Sequence, residues 1–207
     1  VPVKQLIWER LGLTAALTLA TTLFTWLVAF PIGIYSAAKQ YSPGDYVFSF
    51  IGFIGVSIPN FLFALVLLFL AYVLFGQNLG GLFSLEYANA PWSWGKVVDL
   101  LKHLWIPTII LGLSGTAGLI RTMRANLLDE LQKPYVITAR AKGQKEWKLL
   151  MRYPVRAALN PFVSTVGWSL AGLVSGSTIV AVVLNLPMVG PLMLQALVAQ
   201  DMYLAGT

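Results

Sequence analysis

The segment RTMRANLLDELQKPYVITARAKGQKEWKLLMRYPVR, residues 121–156, places this chain in a membrane and sets its orientation there. It holds nine of the fourteen lysines and arginines: Arg121, Arg124, Lys133, Arg140, Lys142, Lys145, Lys148, Arg152 and Arg156. Uncharged, apolar sequence flanks it on both sides. A basic island between two apolar segments of membrane length marks the cytoplasmic face of a bilayer. Local signals divide the island further. Leu127, Leu128 and Leu131 carry an apolar face beyond the preceding span. Pro134 breaks that helix and suits the first position of a new one. Tyr135 to Lys142 then makes about two helical turns, and Gly143 fits the left-handed position just past a helix end. A second short helix is expected over about residues 145–153, stopped by Pro154. Ala139 and Ala141 leave room for a partner's backbone, and Arg140 and Lys142 flank them with charge.

Composition agrees with a membrane setting. Of the 207 residues, 57% are hydrophobic and 11% charged, against about 25% charged in a soluble domain. The net charge of +6 does not point to nucleic acid, because it is concentrated in one loop between apolar stretches. Contact with anionic lipid head groups accounts for it. Cysteine is absent, which excludes thiol catalysis and disulfides.

Working outward from the island, four spans are expected: residues 11–37, 47–75, 104–120 and 159–184. The apolar runs are continuous and do not alternate, so they read as helices and not barrel strands. With four spans, Lys39 and the island share one face, which carries ten Lys+Arg. The other face carries Lys4, Arg10, Lys96 and Lys102. The larger count belongs inside. Both chain ends then fall outside, and a span before these residues is expected. The outer segment between spans two and three contains Gly80-Gly81, Pro91, Trp92 and Trp94, with Trp105 beyond it. Its tryptophans read as interfacial anchors; a lid over a substrate entrance is the alternative.

Pro31, Pro59, Pro107 and Pro161 interrupt helix ladders or sit near their ends. The second span groups Gly55, Ser57, Pro59 and Asn60. Ser57 can satisfy a carbonyl released by Pro59, and Asn60 needs another helix or a polar cavity, because an amide facing lipid is costly. Ser57, Pro59 and Asn60 are therefore candidate pathway or gating residues. His103 has no partners at catalytic or metal-ligating spacing, and Asp99 with Lys102 reads as a surface pair. No ionisable residue lies inside a span, which argues against a proton-coupled carrier.

These residues together resemble the inner-membrane permease subunits of bacterial ATP-binding-cassette (ABC) importers, in particular the dipeptide, oligopeptide and nickel branch. Tyr135-Val136 followed by Ala139-Arg140-Ala141-Lys142-Gly143 matches that branch's cytoplasmic coupling motif. Arg156, Ala158, Leu159 and Pro161 resemble the stretch after it, and Gly55-Val-Ser57-Ile-Pro59 with Phe61 resembles a recurrent pattern in the second span. Tyr153, Pro154 and Ala157 depart from the branch, which often has His at the first of these positions and Asn at the last. The likeness covers essentially the whole chain.

The resemblance implies an all-α fold, a polytopic membrane helix bundle of the type I importer-permease kind with a cytoplasmic coupling helix. It implies a multi-pass location in a bacterial inner membrane, with one span before these residues and another after them, and translocation of peptides or peptide-like solutes. The implied partners are two ATPase subunits that bind MgATP, a second permease subunit and an extracytoplasmic solute-binding protein. No catalytic, cofactor or metal site is expected in this chain itself, which lacks a phosphate-loop pattern. Leu131, Tyr135, Val136, Ala139, Arg140, Ala141, Lys142 and Gly143 are the implied ATPase-docking residues. A passive channel or ion-coupled carrier is the competing reading.

Overall fold

The structure, a computed structural model, describes residues 3–75, 81–84, 86–87, 90–176 and 178–206. All regular structure among them is helical: α1 (Val3–Ala38), α2 (Pro43–Ser57), α3 (Asn60–Phe75), α4 (Trp94–Leu131), α5 (Pro134–Ala141), α6 (Glu146–Arg152), α7 (Pro154–Gly176), α8 (Thr178–Val183), α9 (Val189–Val198) and α10 (Met202–Ala205). Gly80 of the Gly80-Gly81 pair lies outside the described residues.

The 36 residues of α1 extend about 54 Å at the helical rise, more than the ~30 Å of a hydrocarbon core. By length and composition α1 can cross a membrane alone, whereas α2 with α3, and the two halves of α4, reach that length only as pairs. The expected first span lies within α1, and the second falls on α2 and α3. The third lies within α4, which begins earlier than expected, at Trp94, and runs on to Leu131. The fourth falls on α7 and α8.

Prolines behave in two ways. Pro31, Pro107 and Pro161 lie inside continuous helices. One proline removes one ladder bond, and unwinding further in apolar surroundings would expose more backbone groups. Pro59 instead separates α2 from α3, and its carbonyl accepts from the N–H groups of Leu62 (2.9 Å) and Phe63 (3.1 Å) to start the new helix. α6 ends at Arg152, just before Pro154 as expected, and Pro154 is also the first residue of α7, the N1 position that tolerates a missing donor.

One face of α1 inverts the soluble pattern. Thr14, Thr18, Thr21 and Thr25 are buried, while Leu19, Leu23 and Leu27 are 55%, 65% and 75% exposed. Small hydroxyl residues allow close helix contact and bond their own backbone, as Thr14 does to Arg10 O (2.9 Å) and Thr22 to Thr18 O (2.8 Å). Leucines turned outward are stable only where the surroundings are apolar.

The chain forms two compact units. The first comprises Val1–Phe24, Ile58–Gly112 and Leu170–Thr207, so far as these are described. Its core includes Leu17, Leu82, Ile110, Val180, Leu184 and Met188. A smaller cluster sets Leu192, Ala196 and Leu204 against Val3, Leu6 and Ile7. Asp201 caps α10 by accepting from Tyr203 N–H and Leu204 N–H, both at 3.1 Å. Here Asp99 does not form the expected pair with Lys102. Its carboxylate accepts from Ser84 N–H at 2.8 Å and lies 3.6 Å from His103 Nδ1. A loop amide without a helical partner is a better use of that oxygen than an exposed ammonium. Trp92 likewise does more than anchor: its ring, with Phe83, takes the Lys96 ammonium at 5.4 and 4.8 Å.

The second unit comprises Thr25–Ser57 and Leu113–Ser169. Met123 and Leu127 are fully buried among Ala37, Leu150, Val155, Ala158 and Phe162. Gly33 allows α1 to approach α4, since a Cβ there would lie 2.8 Å from Met123 Cβ.

Candidate coupling site

The basic island folds as the local signals require. Lys133 is extended (φ −67°, ψ 145°), Pro134 opens α5, and Lys142 closes it with its N–H on Thr138 O. Gly143 follows at φ +74° and donates its N–H to Arg140 O at 3.0 Å. After this turn α6 folds back onto α5. Val136, Ala139 and Leu149 form a small buried cluster of their own, with Leu131 and Tyr153 at its edge. The result is a two-helix knob joined to α4 by Gln132 and Lys133.

This packing sorts the residues singled out in the sequence. Val136 and Ala139 face α6 and are buried, and Leu131 is half-buried. Tyr135, Arg140, Ala141, Lys142 and Gly143 are exposed. Arg140 is not a free charge. Its Nε donates to Glu146 Oε2 (3.1 Å) and its Nη2 to Glu146 Oε1, which holds the Glu146 carboxyl below its ordinary range. The Tyr135 hydroxyl donates to Glu130; partial desolvation against the knob and then that carboxylate push the phenol up to about 12. Both contacts are exposed and staple the turns without adding much stability. Ile137 and Trp147, which are 57% and 69% exposed, join the outer surface. Sequence reasoning passed over them, although a tryptophan among lysines is itself a signal of a contact surface.

Leu149 has no exposed surface. Leu149→Ala should weaken the knob by about 2–5 kcal/mol, the usual range for truncating a buried leucine. Limited proteolysis between α5 and α6 should accelerate while the membrane-embedded part stays resistant.

A second feature of the same unit was not anticipated. Asp45, in the first turn of α2, is 3% exposed. Its carboxylate accepts from Arg124 Nε at 3.1 Å and Arg124 Nη2 at 2.9 Å, across 79 residues. It also accepts from Tyr41 N–H at 2.9 Å and from the Ser36 hydroxyl. Tyr41 sits at φ +62°, so the turn is bent towards the carboxylate. One side chain thus ties the end of α1, the start of α2 and the part of α4 that leads into the knob. A fork-shaped cation meeting a carboxylate with both oxygens occupied is a strong, directional contact.

The candidate gating residues sit at the α2–α3 break. Ser57 donates to Phe53 O at 2.8 Å, not to the Gly55 carbonyl that lacks a Pro59 donor. The hydroxyl reaches the carbonyl one turn back, the usual choice for serine in a helix. Pro59 supplies the first acceptor of α3, and Asn60, half-buried, is its first residue. Ser57 and Pro59 each serve a local backbone role, one in α2 and the other at the start of α3.

The family described as binding-protein-dependent transport system inner membrane component matches residues 29–205. The chain is 35% identical over 200 residues to the oligopeptide transport system permease protein AppB of Bacillus subtilis, covering 97% of this chain and 62% of that protein. It is 33% identical to a putative peptide permease protein of Brucella ovis, over 96% of this chain and 61% of the other. It is 29% identical to the dipeptide transport system permease protein DppB of Alkalihalophilus pseudofirmus, over 97% and 64%. The chain thus spans a little under two thirds of the length of these relatives. The matched region takes in the Asp45–Arg124 pair, the α2–α3 break and the whole knob, set in helices whose outward leucines suit a bilayer. This all-helical membrane chain belongs to the family of inner membrane components of binding-protein-dependent transport systems.

Proposed function

We propose that this chain is the permease subunit of an ATP-driven importer for peptides or peptide-like solutes. In this reading it lies as a multi-pass protein in a bacterial inner membrane. It pairs with a second permease subunit, two ATPase subunits that carry MgATP, and an extracytoplasmic solute-binding protein. The observation that carries the reading is the α5–α6 knob. It has its own buried core, with Leu131 of α4 packed at its edge, an outer face of Tyr135, Ile137, Ala141 and Lys142, and only two residues between it and α4. A floppy charged loop would absorb a push, whereas a packed knob transmits it. The Asp45–Arg124 contact extends that rigidity to α1 and α2 within the same unit. Closure of an ATPase pair would then move the unit as a body and switch access to the pathway. The peptide relatives support the substrate class.

The absence of cysteine makes the orientation directly testable. Lys142→Cys, in cells expressing the assembled transporter, should resist a membrane-impermeant thiol reagent until the membrane is opened. Lys102→Cys should react from outside. The Lys142 variant should also cross-link to an ATPase subunit. Reaction of Lys142→Cys from the exterior of intact cells would overturn the reading.

A further inference from the structure

Within the first unit, a cavity of about 480 Å³ opens beside Arg10, a volume in the range of small-molecule sites. Its polar lining is Arg10, Asn185 and Gln195, set against Leu82, Leu186 and Pro187, and no carboxylate lines it. Arg10 is half-buried, and its guanidinium enters no ion pair among the described residues. Three other acids of the unit are engaged away from the cavity: Glu9 accepts from Gln5 at 3.0 Å, Asp99 from Ser84 N–H, and Asp201 caps α10.

The walls are tied together by backbone contacts that do not depend on a ligand. Arg10 O accepts from the Thr14 hydroxyl, whose oxygen accepts from Val189 N–H at 3.0 Å. This fixes Arg10 against the start of α9, which carries Gln195. Gly81 N–H donates to Leu184 O at 2.8 Å, and Leu186 N–H to Ala181 O at 2.8 Å. Between them Asn185 is held at φ +52°, a left-handed position that asparagine tolerates. The site is therefore preformed: one cation with a planar fork of donors, two amides and an apolar wall.

We infer that this cavity receives the terminal carboxylate of the solute on its way into the pathway. The inference rests on the transport reading above, in which Arg10, Gly81–Phe83 and Asn185–Gln195 all lie on the extracytoplasmic side. A guanidinium binds a carboxylate through two parallel hydrogen bonds. The amides of Asn185 and Gln195 can donate to the adjoining peptide group. The apolar wall accepts side chains of different shape without selecting among them. The group recognised is present on every free linear peptide, whatever its side chains.

The test uses the complete transporter in phosphatidylcholine proteoliposomes, with one binding protein throughout. Uptake of alanyl-alanine is compared with uptake of alanyl-alanine amide. The wild type should favour the free carboxylate. Arg10→Gln should erase about ten- to a hundredfold of that preference, as expected for a hydrogen-bonded charge. Arg10→Lys should keep part of it, and Gln195→Ala, which leaves the cation in place, should reduce it to a smaller extent than Arg10→Gln. An unchanged preference in Arg10→Gln and Gln195→Ala, with uptake intact, would overturn this inference and leave the transport reading standing. Loss of the preference when anionic lipid is added would assign the cavity to a head-group phosphate, which also overturns it. Failure of the wild type to take up either peptide would remove the peptide reading itself.

Discussion

Asp45→Ala is expected to destabilise the second unit by about 3–5 kcal/mol, the cost of breaking a buried charge pair by removing one partner. Arg124 has 26% of its side chain exposed and Asp45 4%, so water can replace little of what is lost. The Tyr41 N–H and the Ser36 hydroxyl lose their acceptor at the same time. Asp45→Asn should fall between the two states, since its amide oxygen still accepts but carries no charge. Removing both partners as Asp45→Leu/Arg124→Leu should recover much of the stability, because an apolar pair leaves no orphaned charge. Thermal unfolding of the purified complex, followed by tryptophan fluorescence, measures this order. A melting temperature for Asp45→Ala equal to that of the wild type would show that the pair is not a strut. The double variant separates folding from transmission: a stable protein with poor uptake would mean that the ion pair positions α4 for coupling.

Gly143→Val is expected to cut uptake about tenfold or more, with membrane insertion and the fold outside the knob nearly unchanged. The residue sits at φ +74°, where an L side chain costs roughly 1–2 kcal/mol and a β-branched one is a true outlier. A Cβ there meets no heavy atom within 4 Å, so the effect comes from the backbone and not from a clash inside the chain. The turn would relax towards ordinary φ values and swing α6 and Lys142 away from their positions on the outer face. Gly143→Asn tolerates the left-handed backbone and should keep most of the activity. Gly143→Asp tolerates it too, but places a negative charge on the docking surface and should detach the ATPase. Copurification of the ATPase pair and uptake are the two readouts. Full copurification together with normal uptake by both the Val and Asp variants would refute the docking role of the knob.

Much of this protein was legible where causes are local. Pro134 and Gly143 bracket α5 because a missing N–H and a positive φ are properties of single residues. The membrane character was legible because long uncharged runs have one common physical reading. The extension of α4 past the third span was visible in Leu127, Leu128 and Leu131. Its start at Trp94 was not, since polar residues near a membrane surface are compatible with both loop and helix. Pro31, Pro107 and Pro161 did not end their helices, because the surroundings of each ladder decide whether one missing bond is tolerated.

Within the motif, composition named the small residues but could not say which way they point. Val136 and Ala139 turn inward because Leu149, ten residues and more along the chain, returns to cover them. Arg140 looked like a charge offered to a partner, and it is held by Glu146 across the Gly143 turn.

By itself, the order of residues determined the helical class, the basic face and the chemistry of one short turn, since these depend on neighbours a few positions apart. Folding alone decided that Asp45 meets Arg124, that threonines turn inward from α1, and that Arg10 is left without a carboxylate beside a cavity. Those outcomes depend on which distant helices pack together, and a chain records that only through the sum of all its contacts.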